Sequence, residues 1–152
     1  MTPTTRNRVE VLHGVNLDML GSRDRDIYGE FTLPELEVKI RRFGRDLGLE
    51  TRFFQTNSEG EFVEHLHRLP AIADAAIVNA GAWTHYSWAI RDALDLTGIP
   101  TVEVHISDIS NREEWRRHSV FEGLDLLVGK VHGKGPQGYR EALELIAERL
   151  GV

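Results

Sequence analysis

Glu103, His105 and Ser107 alternate with apolar residues in the run Val102-Glu103-Val104-His105-Ile106-Ser107. On a strand, successive side chains point to opposite faces, so these three share one face and Val102, Val104 and Ile106 the other. A carboxylate, an imidazole and a hydroxyl in one row are costly to bury for packing alone. The run leads into Asn111-Arg112-Glu113-Glu114-Trp115-Arg116-Arg117. Arg112 and Arg116 are four apart and project from one face of an expected short helix, which Ser110-x-x-Glu113 would cap. An acid-paired histidine beside two convergent arginines suits an anionic, hydroxylated small molecule. Taken singly, His105 also fits a core histidine satisfied by Glu103, and the arginines fit weak Glu–Arg pairs on a surface helix.

A second group lies in the segment Gly14 to Phe31, a long connection expected to have no structure of its own. A connection of that length in a small domain is usually functional. It carries Leu20-Gly21-Ser22-Arg23-Asp24-Arg25-Asp26-Ile27-Tyr28-Gly29, with glycines as hinges at either end of a charged stretch. A guanidinium beside a phenol favours the phenolate, so Tyr28 flanked by Arg23 has the makings of a general base. An ordinary solvated loop anchored by a tyrosine explains the same residues. Asn79-Ala80-Gly81-Ala82-Trp83-Thr84-His85 adds an amide and an imidazole able to bond hydroxyls, although Asn and Gly after a strand are also plain turn chemistry.

Two other patterns carry less. Gly133-Lys134-Gly135-Pro136-Gln137-Gly138 has the GxGxxG form, but the chain ends before the acidic residue that a dinucleotide site needs about 20 positions on. His65 and His67 are two apart on an expected helix and so point to different sides, unlike a zinc-binding i, i+4 pair.

The elements that must position these groups read as five β–α units. Expected strands are Val9–His13, Thr51–Gln55, Ala75–Asn79, Thr101–Ser107 and Leu124–Val131. Thr32-Leu33-Pro34-Glu35 and Ser58-Glu59-Gly60-Glu61 are capping boxes that open helices. A third helix is expected over Ser87–Leu96, and the last follows the stripe Tyr139, Ala142, Leu143, Ile146, Ala147 and Leu150. Alternating units of this kind imply an α/β domain with a five-stranded parallel sheet and helices on both faces. Ligands of such sheets gather beyond the carboxyl ends of the strands, where Asn16, Asn57, Asn79, His85, His105 and Ser107 all fall.

The bulk properties set bounds. The 152 residues suit one domain, expected over residues 9–152 behind a disordered leader at 1–8. A formal charge of -6 argues against a nucleic-acid partner. The chain has no cysteine, which excludes disulfides, thiolate metal sites and a cysteine nucleophile. No apolar run approaches the length of a membrane span, and the leader lacks the apolar core of a signal peptide, so a cytoplasmic protein is expected.

Together these segments resemble type II 3-dehydroquinate dehydratase from Val9 onward. The likeness rests on Gly14-x-Asn16-Leu17-x-x-Leu20-Gly21, Arg23 with Tyr28-Gly29, Gln55-x-Asn57-x-Glu59-Gly60, Asn79-x-Gly81, Thr84-His85-x-Ser87 and Arg91-Asp92-Ala93. It continues through the Val102–Ser107 strand and Arg112-Glu113-Glu114-x-Arg116-Arg117-His118-Ser119. The resemblance implies a single flavodoxin-like domain that dehydrates 3-dehydroquinate by anti elimination, without metal or cofactor. It implies Tyr28 as the base, as tyrosinate, with Arg23 holding the lid and favouring the phenolate, and Arg112 as the other candidate for that second task. Asn16 would orient a water on the enolate, and His105, set by Glu103, would be the general acid. Asn79, His85 and Arg116 would bind hydroxyls, and Ile106 and Ser107 the carboxylate. The family assembles as a dodecamer of trimers, in which Asp92 corresponds to a residue reaching a neighbouring site.

The chain departs from the family pattern at several positions. Val15 replaces a proline in the turn after strand one, and Tyr86 and Trp88 are bulkier than usual. The bulky pair leaves room for a related cyclic β-hydroxy ketone as substrate, such as an amino analogue. A non-catalytic binding protein on the same scaffold is the third reading, against which stands the joint presence of a base and an acid.

Overall fold

The computed structural model describes residues 6–152. Five strands, β1 (Arg8–His13), β2 (Glu50–Gln55), β3 (Ala75–Asn79), β4 (Thr101–His105) and β5 (Leu127–His132), form one parallel sheet in the order β2-β1-β3-β4-β5. The helices are α1 (Arg25–Tyr28), α2 (Leu33–Asp46), α3 (Glu59–Ile72), α4 (Trp88–Thr97) and α5 (Gln137–Leu150). α2 and α5 cover one face over Val9, Val11, Ile77, Val102 and Val104. α3 and α4 cover the other over Leu12, Ala76 and Val78. With both faces buried, β3 and β4 have no exposed residue, as parallel sheets require.

Local chemistry explains the helix starts. Thr32 accepts from the Glu35 amide, Ser58 from that of Glu61 and Ser87 from that of Ile90, each contact worth about 1 kcal/mol to its helix. Boundaries moved where turns are tight. Gly14–Phe31 is not structureless: it holds a 3-10 turn, Leu17–Met19, and the four-residue α1, capped by Asp24. Elements this short show no periodic pattern in a sequence. The expected arginine helix is instead two 3-10 turns, Ile109–Asn111 and Glu114–Arg117, because Arg112 and Glu113 are extended between them. Asp108, not Ser110, caps the first. β5 starts three residues later than expected, after a turn closed by Leu127 N–H on Leu124 O.

At the amino end, Asn7 and Arg8 belong to the fold and not to a leader. Arg8 opens β1 and its guanidinium grips Asp74, while the Asn7 amide bonds Gly48 O. Residues 1–5 lie outside the described residues. Among the described residues no helix is long and apolar enough to cross a membrane.

The sheet reverses its winding between β1 and β3, and there the loops that follow the two strands interlock. A Cβ on Gly14 would lie 2.3 Å from Ala80 O. One on Gly81, at φ +63°, would lie 2.6 Å from Val15 O. Both contacts are to backbone, so neither yields to a rotamer change. We expect Gly14→Ala to cost roughly 2–4 kcal/mol, the scale of strain at such positions, and to lower the thermal midpoint measured by circular dichroism. An unchanged midpoint would refute the interlock.

Candidate active site

β4 delivers the acid–imidazole pair at its carboxyl end. Glu103 is 1% exposed and His105 5%, and His105 Nε2 lies 2.5 Å from Glu103 Oε2. The other carboxylate oxygen accepts from Ser119 Oγ at 2.9 Å. Burial disfavours the Glu103 carboxylate, but the bonds from His105 and Ser119 and the nearby charges of His105 and Lys130 outweigh it. The net effect holds its carboxyl below the ordinary range. With Nε2 given to Glu103, Nδ1 is the nitrogen His105 has left for a ligand.

The loop brings the phenol to the same cleft. Tyr28 Oη accepts from Arg23 Nη2 at 2.8 Å and from Arg112 Nη1 at 3.0 Å. The Arg23 guanidinium also lies over the Tyr28 ring, 3.7 Å from its centroid. Arg112 Nη1 reaches Ser107 Oγ at 3.2 Å, which ties the loop to the end of β4. Burial draws the Arg23 guanidinium below its usual value, against the pull of Tyr28 and with Arg116 and Arg112 adding repulsion. It stays protonated at neutral pH all the same. Arg112 Nε is buried with no hydrogen-bond partner among the described residues. Three guanidiniums and one spare donor form an anion-seeking surface in a protein of net negative charge.

The remaining groups are held from behind. Asn16 is the one non-glycine with positive φ (69°) among the described residues. Its amide is anchored on Asn57 Oδ1 at 2.8 Å, and Gln55 Nε2 bonds both Asn57 and Gly14 O. Side chains from the end of β2 and the turn after it, Gln55 and Asn57, therefore fix the turn that holds Val15. Asn79 Nδ2 donates to Tyr139 Oη at 3.2 Å, and burial pushes the Tyr139 phenol up to about 12, so it stays neutral. His85 Nδ1 bonds His118 O at 2.6 Å. A carbonyl only accepts, so that nitrogen carries the proton and Nε2 is left as an acceptor for a hydroxyl. Burial lowers the His85 pKa, opposed by the His118 carbonyl, and keeps the ring neutral at neutral pH.

These groups line one partly open cleft. It gathers Asn16, Arg23, Tyr28, Asn79, His85, His105, Ile106, Ser107, Arg112 and Arg116 from three stretches of the chain, at and beyond the carboxyl ends of β1, β3 and β4. Glu103 stands behind His105. Asp92 is not brought in: it is exposed on α4, away from the cleft. Tyr86 and Trp88 are 57% and 61% exposed and do not line the cleft, so their bulk leaves its width unchanged. Sequence reasoning missed the parts played by Gln55, Asn57 and Ser119, and nothing in their spacing pointed to a partner. It also missed what the glycines of the GxGxxG stretch do: Gly133 N–H bonds Ser107 O and Gly135 N–H bonds Ile106 O. His65 is drawn to Glu10 at 3.0 Å and His67 faces solvent. No cluster of three or more His, Cys, Asp or Glu able to hold a metal forms among the described residues.

The family model described as dehydroquinase class II matches residues 7–147. The chain belongs to this family. A 3-dehydroquinate dehydratase of Pelotomaculum thermopropionicum is 46% identical over 95% of this chain and 99% of its own length. One of Thermotoga maritima is 48% identical over 94% and 96%. The crystal structure of type II dehydroquinase from Propionibacterium acnes superposes with a TM-score of 0.87 at 38% identity, covering 96% of this chain and 99% of that one. A 3-dehydroquinate dehydratase-like protein from Bifidobacterium longum is more distant, with a TM-score of 0.68 at 30% identity, covering 96% and 99%.

The carboxylate behind His105 sets an acid limit on this dehydroquinase fold. Because the folded Glu103 carboxyl is held below its ordinary value near ~4.3, its ionisation stabilises the fold above that pH. The contribution is lost as pH falls through the folded value. Ser119→Ala removes one bond to the ionised form, so we expect about 1 kcal/mol lower stability at neutral pH. The acid-unfolding midpoint should move to higher pH, followed by circular dichroism. Superimposable acid-unfolding curves would sink this account.

Proposed function

We propose that this chain converts 3-dehydroquinate to 3-dehydroshikimate by anti elimination through an enolate. The observation that carries the reading is the Tyr28 oxygen, which accepts from two guanidiniums in the cleft that also holds the Glu103-backed His105. Two guanidiniums aimed at one phenol oxygen are the partners a phenolate base calls for. Tyr28 takes the proton from the carbon beside the ketone, and the electron pair of that C–H bond moves to the carbonyl oxygen. Asn16 holds a water against the resulting enolate oxygen. The enolate then reforms the ketone and expels the β-hydroxyl, which leaves as water with a proton from His105. Glu103 stabilises the imidazolium before that transfer and fixes its orientation.

The substrate's carboxylate meets Ser107 and the backbone of Ile106. Its hydroxyls meet Asn79, the unprotonated Nε2 of His85, and Arg116, whose Nε is steadied by Glu113 at 2.5 Å. Base and acid arrive on different elements, one on the loop and one on a strand end, which suits attack on opposite faces of a ring. Purified protein mixed with 3-dehydroquinate should raise the ultraviolet absorbance of the conjugated enone, and Tyr28→Phe should lower kcat at least a thousandfold while a product-like ligand still binds. Absence of turnover in the wild-type protein, or full turnover in the variant, would reject the scheme.

Assembly into a homododecamer is part of the same proposal. α4 presents Trp88 beside Arg91 and the exposed Asp92, and Tyr86 stands next to them. Large exposed aromatics grouped in this way are a usual mark of an interface. Light scattering should give about 208 kDa, twelve chains of 17.3 kDa, and Trp88→Asp should yield smaller species. A monomeric wild-type protein would exclude the assembly.

A further inference from the structure

We propose that Lys130, on β5, is a positioning residue that sets the pH at which His105 gives up its proton. The inference rests on the dehydratase reading of His105 as general acid. β4 and β5 run in parallel with Glu103 paired to Lys130 and His105 paired to His132. Paired residues of neighbouring strands lie about 4.8 Å apart and point to the same face. Val104 and Val131, the pair between them, both enter the core under α5. Glu103, His105, Lys130 and His132 therefore share the opposite face.

The Lys130 ammonium is kept there by what surrounds it. Its side chain is 26% exposed, and Nζ lies 3.8 Å from Glu122 Oε1. Glu122 belongs to the segment that supplies Ser119 to the Glu103 carboxylate. Arg91 fastens that segment by donating to Val120 O and Glu122 O, and the Val120 amide bonds Thr84 O. Lys130 is thus a partly desolvated cation beside the carboxylate that backs the general acid, where screening is weaker than at a free surface. Among the influences holding the Glu103 carboxyl low, the charge of Lys130 is one.

A cation at this place does two things of opposite benefit. It keeps Glu103 ionised, and it repels the imidazolium that Glu103 stabilises. The second effect makes His105 a stronger acid, readier to protonate the departing hydroxyl. The other charged or titratable groups around the pair differ in reach. His85 stacks at 6.2 Å from His105 and is neutral. Arg116 and Arg112 line the cleft with Arg23 and Tyr28, on the substrate side. His132 is turned to Asp108, 3.1 Å away. Behind the pair, in register with the carboxylate, stands Lys130, and its neighbour Glu122, 3.8 Å from the ammonium, is 66% exposed and so a more screened charge.

The test compares wild type, Lys130→Met and Lys130→Arg. In kcat/KM against pH, the upper limb reports loss of the proton from the general acid and the lower limb the base. We expect Lys130→Met to move the upper limb upward by about half a unit, the scale of a single nearby charge, with the lower limb in place. Lys130→Arg should restore the wild-type profile. The His105 imidazole, followed by nuclear magnetic resonance without substrate, should likewise titrate at higher pH in Lys130→Met. Coincident imidazole titrations in folded wild type and Lys130→Met would overturn the role of Lys130 whether or not 3-dehydroquinate is turned over. A wild-type protein without turnover but with the shifted titration would leave Lys130 standing and remove the dehydratase reading instead.

Discussion

Everything at the cleft depends on one buried carboxylate. Glu103 is 1% exposed in the middle of the sheet's polar row, where a lone charge would be costly. The cost is met by His105 on one oxygen and Ser119 on the other, with the charge of Lys130 in register on the next strand. Each partner is then fixed in turn. His105 is aimed by its bond to Glu103, and Ser119 is aimed by the segment that Arg91 and Thr84 hold down. The same segment offers His118 O to His85, so two imidazoles take their orientation from one stretch of chain.

The second constraint is the meeting of loops at the reversal between β1 and β3. Gly14 and Gly81 allow two backbones to pass closer than any side chain permits. That closeness sets Asn16 and Asn79 at the edge of one cleft although 63 positions separate them. The loop after Asn16 then folds back over the strand ends, and its Tyr28 is caught between Arg23, from the same loop, and Arg112, from beyond β4. A phenol carried on a loop is held here by charge, and both charges come from groups that also line the cleft.

Much of this was legible in the residues. Alternation along Val102–Ser107 placed Glu103, His105 and Ser107 on one face, and the pairing of the first two followed from their types. Capping boxes at Thr32 and Ser58 marked helix starts to the residue, because a cap is a contact between near neighbours. The arginine segment was misjudged for the matching reason. Arg112 and Arg116 do converge, yet from the extended link between two 3-10 turns and from the second turn, which no periodicity announces. The GxGxxG stretch was set aside for nucleotides, and its glycines serve the carbonyls at the end of β4.

What the sequence by itself determined was therefore the local part: which faces are apolar, where helices begin, and which residues could carry a proton or meet an anion. The order of the strands, the clasp of Asn57 on Asn16, the bond of Ser119 to Glu103 and the register of Lys130 beside it were decided only by the tertiary structure. These contacts join residues 16 to 41 positions apart, and side-chain type and spacing constrain only neighbours a turn or a pleat away. Distance along the chain is erased only when the sheet closes, and the chemistry of this cleft is assembled across that distance.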